Sequence, residues 1–225
     1  MSTTQGVWKL QEVRDQTLAG AWVQYDSSRD SGTLWVWGRN ENGQLGVGTR
    51  VCHSSPIQIP GTQWADISNN ASPQLARKCD GTLWAWGNNA NGQLADGTVV
   101  QRSSPIQIPG TQWNDVAAGN ENVYARKTNG TLWAWGSGAV GDGTTVPRSS
   151  PVQIPGTQWN AASAGSFFVA ARKTDGTLWT WGDNAYGRLG ANLASYNQRS
   201  SPIQIPGTEW IDVSLGTCFA LARKS

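Results

Sequence analysis

The stretch Gly-Thr-Leu-Trp-Ala-Trp-Gly at residues 81–87 decides the fold of this chain. Its first four residues, Gly-Thr-Leu-Trp, also begin at Gly32, Gly130 and Gly176. Two further strings recur in the same order, Ser-Ser-Pro-(Ile/Val)-Gln-Ile-Pro-Gly-Thr-(Gln/Glu)-Trp and Ala-Arg-Lys, at spacings of 46–51 residues. Repeats of this length indicate small supersecondary units that bury their apolar surfaces against one another.

Within one repeat the pattern is that of β-strands. Leu83 and Ala85 alternate with Trp84 and Trp86, a period of two that predicts a strand covered on both faces. Asp80-Gly81 precedes this strand and is typical of a tight hairpin turn. We therefore expect the first tryptophan of each copy to be largely buried: Trp35, Trp84, Trp133 and Trp179.

Each repeat holds about four short strands. Ile57–Ile59 lies between two prolines, which cannot donate to a ladder, so it predicts an edge strand. Four strands per 46–51 residues predict an all-β chain, a β-propeller of about four blades. Its core is rich in tryptophan, since the chain has 14. We expect residues 31–225 to form the propeller and residues 1–30 a short N-terminal docking segment.

The repeated part starts and ends on half-repeats whose contents are complementary. The last strands, from Trp210 to Lys224, contain what the first half-repeat at Gly32–Gly38 lacks. The sequence favours a ring closed by the chain's own ends. The alternative is an open array completed by another chain, because uncovered strand edges invite pairing.

These motifs resemble the regulator-of-chromosome-condensation repeat family over roughly residues 21–225. The resemblance is carried by Gly-Thr-Leu-Trp-Ala-Trp-Gly-Asn-Asn-Ala-Asn-Gly-Gln-Leu, Pro-Ile-Gln-Ile, Val-Ala-Ala-Gly and Ala-Arg-Lys-Thr-Asn-Gly. It implies a propeller that acts as an interaction scaffold, without specifying a partner. Propellers of this family usually have seven blades, whereas this sequence accounts for about four.

Residues 1–30 fall outside the repeat. Val7, Trp8 and Leu10, with Trp22, form a short apolar segment that resembles segments of phage virion and tail-associated proteins. We expect another virion subunit or a second copy to cover these side chains. The alternative is that the segment packs on its own propeller.

Composition argues against several classes of function. Seventeen basic and 15 acidic residues give a net charge of +2, which argues against nucleic-acid binding. There is no signal peptide and no apolar run long enough to span or insert in a membrane. Three cysteines at unrelated spacings and one histidine, His53, in a slot otherwise held by arginine, predict no catalytic residues, no metal and no cofactor.

The loops after Trp-Gly differ most between copies, and loops on a rigid scaffold are where binding usually resides. The candidate binding residues lie in three of these loops: Arg39, Asn40, Glu41, Asn88, Asn89, Asn91, Asp183, Tyr186, Arg188 and Tyr196. Their low charge suits a neutral polar surface, such as a host-surface protein or glycan.

The leading functional hypothesis is a non-enzymatic phage virion or tail-appendage component, made in the host cytoplasm and located in the virion. The main alternative is a soluble lectin or a general protein-interaction propeller. A remote alternative, guanine-nucleotide exchange on a small GTPase, is implied by the family resemblance alone. It requires a specialised wedge on a seven-bladed ring, and the sequence contains neither.

Overall fold

The computed structural model describes residues 32–69 and 73–225, which form five antiparallel sheets. The first sheet contains β1 (Trp35–Gly38) and β2 (His53–Gln58), and the last contains β15 (Trp210–Leu215) and β16 (Ala220–Lys224). The three sheets between them are four-stranded. Their strands are β3 (Trp64–Asn69), β4 (Gln74–Lys78), β5 (Leu83–Gly87), β6 (Arg102–Gln107), β7 (Trp113–Ala118), β8 (Asn122–Lys127), β9 (Leu132–Gly136), β10 (Arg148–Gln153), β11 (Trp159–Ala164), β12 (Phe168–Lys173), β13 (Leu178–Gly182) and β14 (Arg199–Gln204).

Each four-stranded sheet is one blade with its strands in chain order. We call β3–β6, β7–β10 and β11–β14 blades I, II and III, and we call β1–β2 and β15–β16 the start and end half-blades. The first strand of each blade contacts the neighbouring blade, as β11 contacts β7, β8 and β15. The fourth strand is an edge strand, as predicted, but it begins earlier than the proline pair indicates, at Arg102 in blade I.

The core lies at the junctions between blades. Between blades I and II, Leu75, Leu83 and Leu94 pack against Trp113 and Trp135, all fully or nearly fully buried. The second tryptophan of each third strand joins two blades, because its indole N–H donates to a loop carbonyl of the preceding repeat. Trp135 Nε1 donates to Gln93 O at 2.9 Å. The all-β, Trp-rich propeller predicted from the sequence is confirmed.

The prediction that the first tryptophan of each copy is largely buried is wrong. Trp84, Trp133 and Trp179 are only partly buried, and Trp35 is 50% exposed. The second tryptophan occupies the interior instead, since Trp86 is 2% exposed. The first lies at the blade edge, where its indole donates to a threonine hydroxyl two residues earlier, as in Trp84 Nε1 to Thr82 Oγ1 at 2.9 Å.

The chain's own ends do not pair. The start half-blade consists of a third and a fourth strand and the end half-blade of a first and a second, so the predicted complementarity is confirmed. The two half-blades nevertheless form separate sheets. The closure expected from the sequence is therefore not formed.

The docking segment, residues 1–30, lies outside the described residues, so its predicted role stays a prediction. In the part of the chain that the structure describes, no helix is long and apolar enough to cross a membrane.

Candidate binding surface

A buried asparagine shapes the loop that follows the third strand in three of the repeats. Asn89 is fully buried, and its amide group donates to the carbonyls of Thr98 and Val100, both at 3.1 Å. Its carbonyl accepts the N–H of Leu94 at 2.9 Å. Asn40 makes the same three contacts one repeat earlier. Buried amides with every group paired make these loops rigid supports.

This burial corrects part of the predicted site. Asn40 and Asn89 are each 0% exposed, so their side chains hold the loops and cannot contact a partner. The side chain of Arg188 is also withdrawn, at 4% exposure. Its guanidinium pairs with Asp183 and lies 5.4 Å from the centre of the Phe168 ring. These three residues position the surface and do not form it.

The sequence analysis missed a third asparagine of this kind, Asn184. It is 1% exposed, donates to Ala194 O at 2.8 Å and accepts from Leu189 N at 3.1 Å. The signal was available, since an asparagine recurs three residues after the second tryptophan in these repeats, at Asn40, Asn89 and Asn184.

Ion pairs brace the second and third of these loops. Asp96 accepts Arg102 Nε at 2.9 Å and Asp142 accepts Arg148 Nε at 2.7 Å. Burial works against ionisation of Asp96, but hydrogen bonds from Thr98 and Arg102 outweigh it and lower the pKa. The pKa of Asp142 is lowered for the same reasons. Because arginine at this slot braces a loop, His53 at the same slot holds no evident catalytic position.

The remaining candidates of the first two loops are accessible but bonded locally. Arg39 and Glu41 are exposed and form an ion pair with each other. Asn88 and Asn91 are half-buried, and Asn88 accepts the N–H of Ala90 at 3.0 Å. The structure does not bring these residues together into one cluster, so they form the rim of their own loops.

The fourth loop, residues 183–198, presents two tyrosines side by side. Tyr186 is 77% exposed and Tyr196 is 70% exposed, with ring centres 6.0 Å apart. Both adopt left-handed backbone conformations, at φ 61° and 66°. This conformation is unfavourable for a bulky residue and persists only where the surroundings impose it. The Tyr196 N–H donates to Asn184 O at 2.9 Å, so the buried asparagine residue fixes the pair.

The tyrosine pair, Tyr186 with Tyr196, is the best candidate site. Two large aromatic faces with hydroxyl groups suit a polypeptide surface or a sugar ring, and tyrosine is enriched at protein interfaces. In the described ranges, His, Cys, Asp and Glu side chains do not gather in threes that could hold a metal ion. The site is thus built for contact.

The sequence is similar to known repeat proteins. The profile of the Regulator of chromosome condensation (RCC1) repeat matches residues 31–68, 80–125 and 175–222, more than half of the chain. A second profile of the same repeat matches residues 160–188. A search of curated proteins finds no match.

Solved structures show the same fold. Human WBSCR16 superposes with a TM-score of 0.76 at 26% identity, covering 87% of this chain and 54% of that one. Prp20p from Saccharomyces cerevisiae, studied for its binding to Gsp1p and histones, gives 0.73 at 20% identity, covering 85% and 51%. Yeast RCC1 (Prp20) bound to Kap60 gives 0.75 at 20% identity, covering 85% and 49%. The chain spans about half the length of these relatives.

Proposed function

This chain belongs to the RCC1 repeat family, and we propose that it is a non-enzymatic protein-binding propeller whose partner contacts the tyrosine pair. The observation that carries the proposal is the exposure of two adjacent tyrosines, Tyr186 and Tyr196, on a loop held by buried contacts. Holding a tyrosine in the left-handed region costs about 1–2 kcal/mol. Aromatic anchors of this kind contribute most of the binding energy at interfaces.

The support for a protein partner comes from relatives and from the loop itself. Prp20p is described with Gsp1p, histones and Kap60, all proteins. In this chain, the rigid loop needs little ordering on binding, which favours affinity. A lectin would use the same tyrosines against a sugar ring, and it is the second outcome of the test below.

The test is site-specific photo-crosslinking from cell extracts of the source organism. A photoreactive phenylalanine analogue replaces Tyr196, and in a matched control it replaces Val99, an exposed apolar residue of another loop. We expect one discrete protein adduct from position 196 that is absent from position 99 and is competed by the unmodified chain. Tyr186→Ala should reduce that adduct at least several-fold.

Two results would contradict the protein-binding proposal. Equal adducts from positions 196 and 99 would mean that the tyrosine pair is ordinary surface. Binding to a glycan array that is lost in Tyr186→Ala and Tyr196→Ala, without any protein adduct, would assign the site to a carbohydrate.

The narrower hypothesis of a phage virion or tail appendage depends on residues 1–30 and on partners among virion subunits. The relatives named above are human and yeast proteins, and they give this role no support. It would gain support from neighbouring genes that encode tail or baseplate proteins. Nucleotide exchange is not part of our proposal, because a likeness at 20% identity to Prp20p shows the fold alone.

A further inference from the structure

We propose that two copies of this chain join head to tail, the β1 edge of each copy pairing with the β16 edge of the other. Each junction then completes one blade from the start half-blade of one copy and the end half-blade of the other. The resulting ring has eight blades, three whole ones from each copy and two shared, a number known among propellers. The partner of these edges is thus a second copy.

The two edges have matching registers. In blade II the second strand pairs with the third through Val123 with Trp135, Tyr124 with Ala134 and Ala125 with Trp133. Aligning the repeats gives the corresponding pairs between copies: Ala220 with Trp37, Leu221 with Val36 and Ala222 with Trp35. Leu221 is 67% exposed, whereas its counterpart Tyr124 is 1% exposed. The side chains of the β16 edge are therefore those of an interior strand.

The tryptophan cluster of the fourth blade is divided between the two half-blades. In blade II, Trp113 makes edge-on contacts with Trp133 and Trp135, at ring-centre distances of 6.3 and 6.1 Å, and Lys127 covers the first two. Blades I and III repeat this cluster. At the end half-blade, Lys224 lies 4.6 Å from the centre of Trp210. The two tryptophans that complete this cluster in the repeat alignment are Trp35 and Trp37.

A cavity of about 190 Å³ marks the position of the missing side chain. It lies between blade III and the end half-blade. Most of its lining residues are counterparts of the core between blades I and II: Ala170, Leu178, Thr180, Leu189, Gly190, Ile205, Trp210, Leu215, Ala220 and Ala222. The member of that core without a counterpart in the lining is Trp135, and its equivalent is Trp37, which is 62% exposed. Trp37 of a second copy fits this cavity.

The backbone around the cavity supports the same occupant. The interior tryptophans Trp86 and Trp135 donate to Gln44 O and Gln93 O of the preceding repeat. The residue at this position in the fourth loop is Arg188, beside the cavity. At the other edge, a Cβ on Gly38 would meet nothing within 4 Å, whereas one on Gly136 would lie 2.2 Å from the Glu121 carbonyl oxygen. Gly38 has the space that a paired second strand occupies in blade II.

A second copy fits these edges better than the chain's own end. The chain superposes as one arc on about half of a larger propeller, so its blades turn by the angle of that larger ring. Two such arcs close, whereas one arc leaves its half-blades in separate sheets. Two identical head-to-tail junctions related by a two-fold axis leave no strand edge open.

Native mass spectrometry and analytical ultracentrifugation of the full chain test the proposal. We expect a species of twice 24.1 kDa. Trp37→Ala should weaken the dimer about 30-fold or more, the loss typical of a truncated aromatic anchor. The monomer should keep its circular dichroism spectrum, because Trp37 is exposed in a single copy. Val99→Ala, an exposed apolar residue away from both edges, is the matched control and should leave the dimer unchanged.

A complementation experiment separates pairing between copies from closure within one. Ala220→Trp fills the receiving cavity of the end half-blade and leaves β1 intact. Neither Trp37→Ala nor Ala220→Trp should dimerise alone, but an isotope-labelled mixture should give a heterodimer through its one intact junction. A monomeric unmodified chain, an assembly larger than two copies, an unchanged Trp37→Ala dimer or a mixture without heterodimer would each overturn the proposal. None of these results bears on binding at the tyrosine pair.

Discussion

At the residue scale, the loops are held by side chains that look like surface residues in the sequence. Asn89 sits in a run of small polar residues, yet it is fully buried and satisfies three backbone groups. A buried amide of this kind stabilises the loop because removing it leaves those groups without partners. The same arrangement at Asn184 lies directly beneath the tyrosine pair.

We expect Asn89→Ala to destabilise the chain by about 3 kcal/mol, because the Leu94 amide and two carbonyls lose their partner. The neighbouring Asn91→Ala, half-buried on the same loop, is the control and should stay within about 0.5 kcal/mol. Urea unfolding measures the difference, and hydrogen exchange should show the Leu94 amide unprotected only in the first variant. Equal midpoints for the two variants would contradict the clamp role.

The paired carboxylates predict how stability depends on pH. The pKa of Asp96 and of Asp142 is lowered in the fold, so both groups bind fewer protons when folded than when unfolded. Their contribution is complete above the unfolded value of 3.8 and disappears as the pH falls through the lower folded values.

We therefore expect the melting temperature to fall below about pH 4. The fall should be shallower in the double variant Asp96→Asn, Asp142→Asn. Asp66→Asn, whose carboxylate is exposed and accepts only the N–H of Ile67, should follow the unmodified chain. An acid limb that is identical in all three proteins would mean that other groups cause the acid sensitivity. Scanning calorimetry from pH 2 to 7 provides the comparison.

At the element scale, each third strand carries two tryptophans with different tasks. The first lies at the blade edge and the second fills the junction, as Trp84 and Trp86 show. Period-two alternation places them on the same side of the strand, but the twist of the blade and the neighbouring repeat bury only the second.

Trp86→Ala should cost about 3–5 kcal/mol, the range for emptying a buried aromatic site. Trp84→Ala should cost clearly less, because its ring is partly exposed and only its contacts with Trp64 and Lys78 are lost. Guanidinium unfolding of the two variants gives the comparison. If Trp84→Ala were the more costly change, the assignment of edge and junction roles would be wrong.

The ends of the third strands require glycine where the neighbouring strand approaches. A Cβ at Gly136 would lie 2.2 Å from the Glu121 carbonyl oxygen, whereas one at Gly138 would have nothing within 4 Å. Both residues have positive φ, at 104° and 72°. Gly138→Ala should therefore cost about 1–2 kcal/mol from the backbone alone, and Gly136→Ala distinctly more. Similar melting temperatures for the two variants would show that the strand end yields easily.

At the scale of the whole molecule, the repeats form an arc with two unfinished blades, and residues 1–30 stand apart from it in sequence. The core clusters described here lie entirely within residues 32–225. Deleting residues 1–20 should therefore change the free energy of unfolding by no more than about 0.5 kcal/mol, and the dimer should persist because β1 is retained. Denaturation and sedimentation of the truncated chain test both expectations, and loss of folding would show that the segment is part of the core.

The sequence by itself determined the repeat, the strand content and the complementary half-repeats. The reason is local: alternation in Leu83–Trp86 and turn residues such as Asp80-Gly81 act within a few residues. It also located the loop that carries Tyr186 and Tyr196, because that loop differs from its copies. These features need no knowledge of what lies across the molecule.

Only the tertiary structure decided which residues of those loops are accessible and how the array ends. Burial of Asn89 and Arg188 depends on carbonyls, rings and carboxylates brought together by the fold, and polarity alone cannot show this. Likewise, whether β1 meets β16 depends on the angle between successive blades. That angle is set by side-chain packing at the junctions around Trp86 and Trp135, which no single repeat contains.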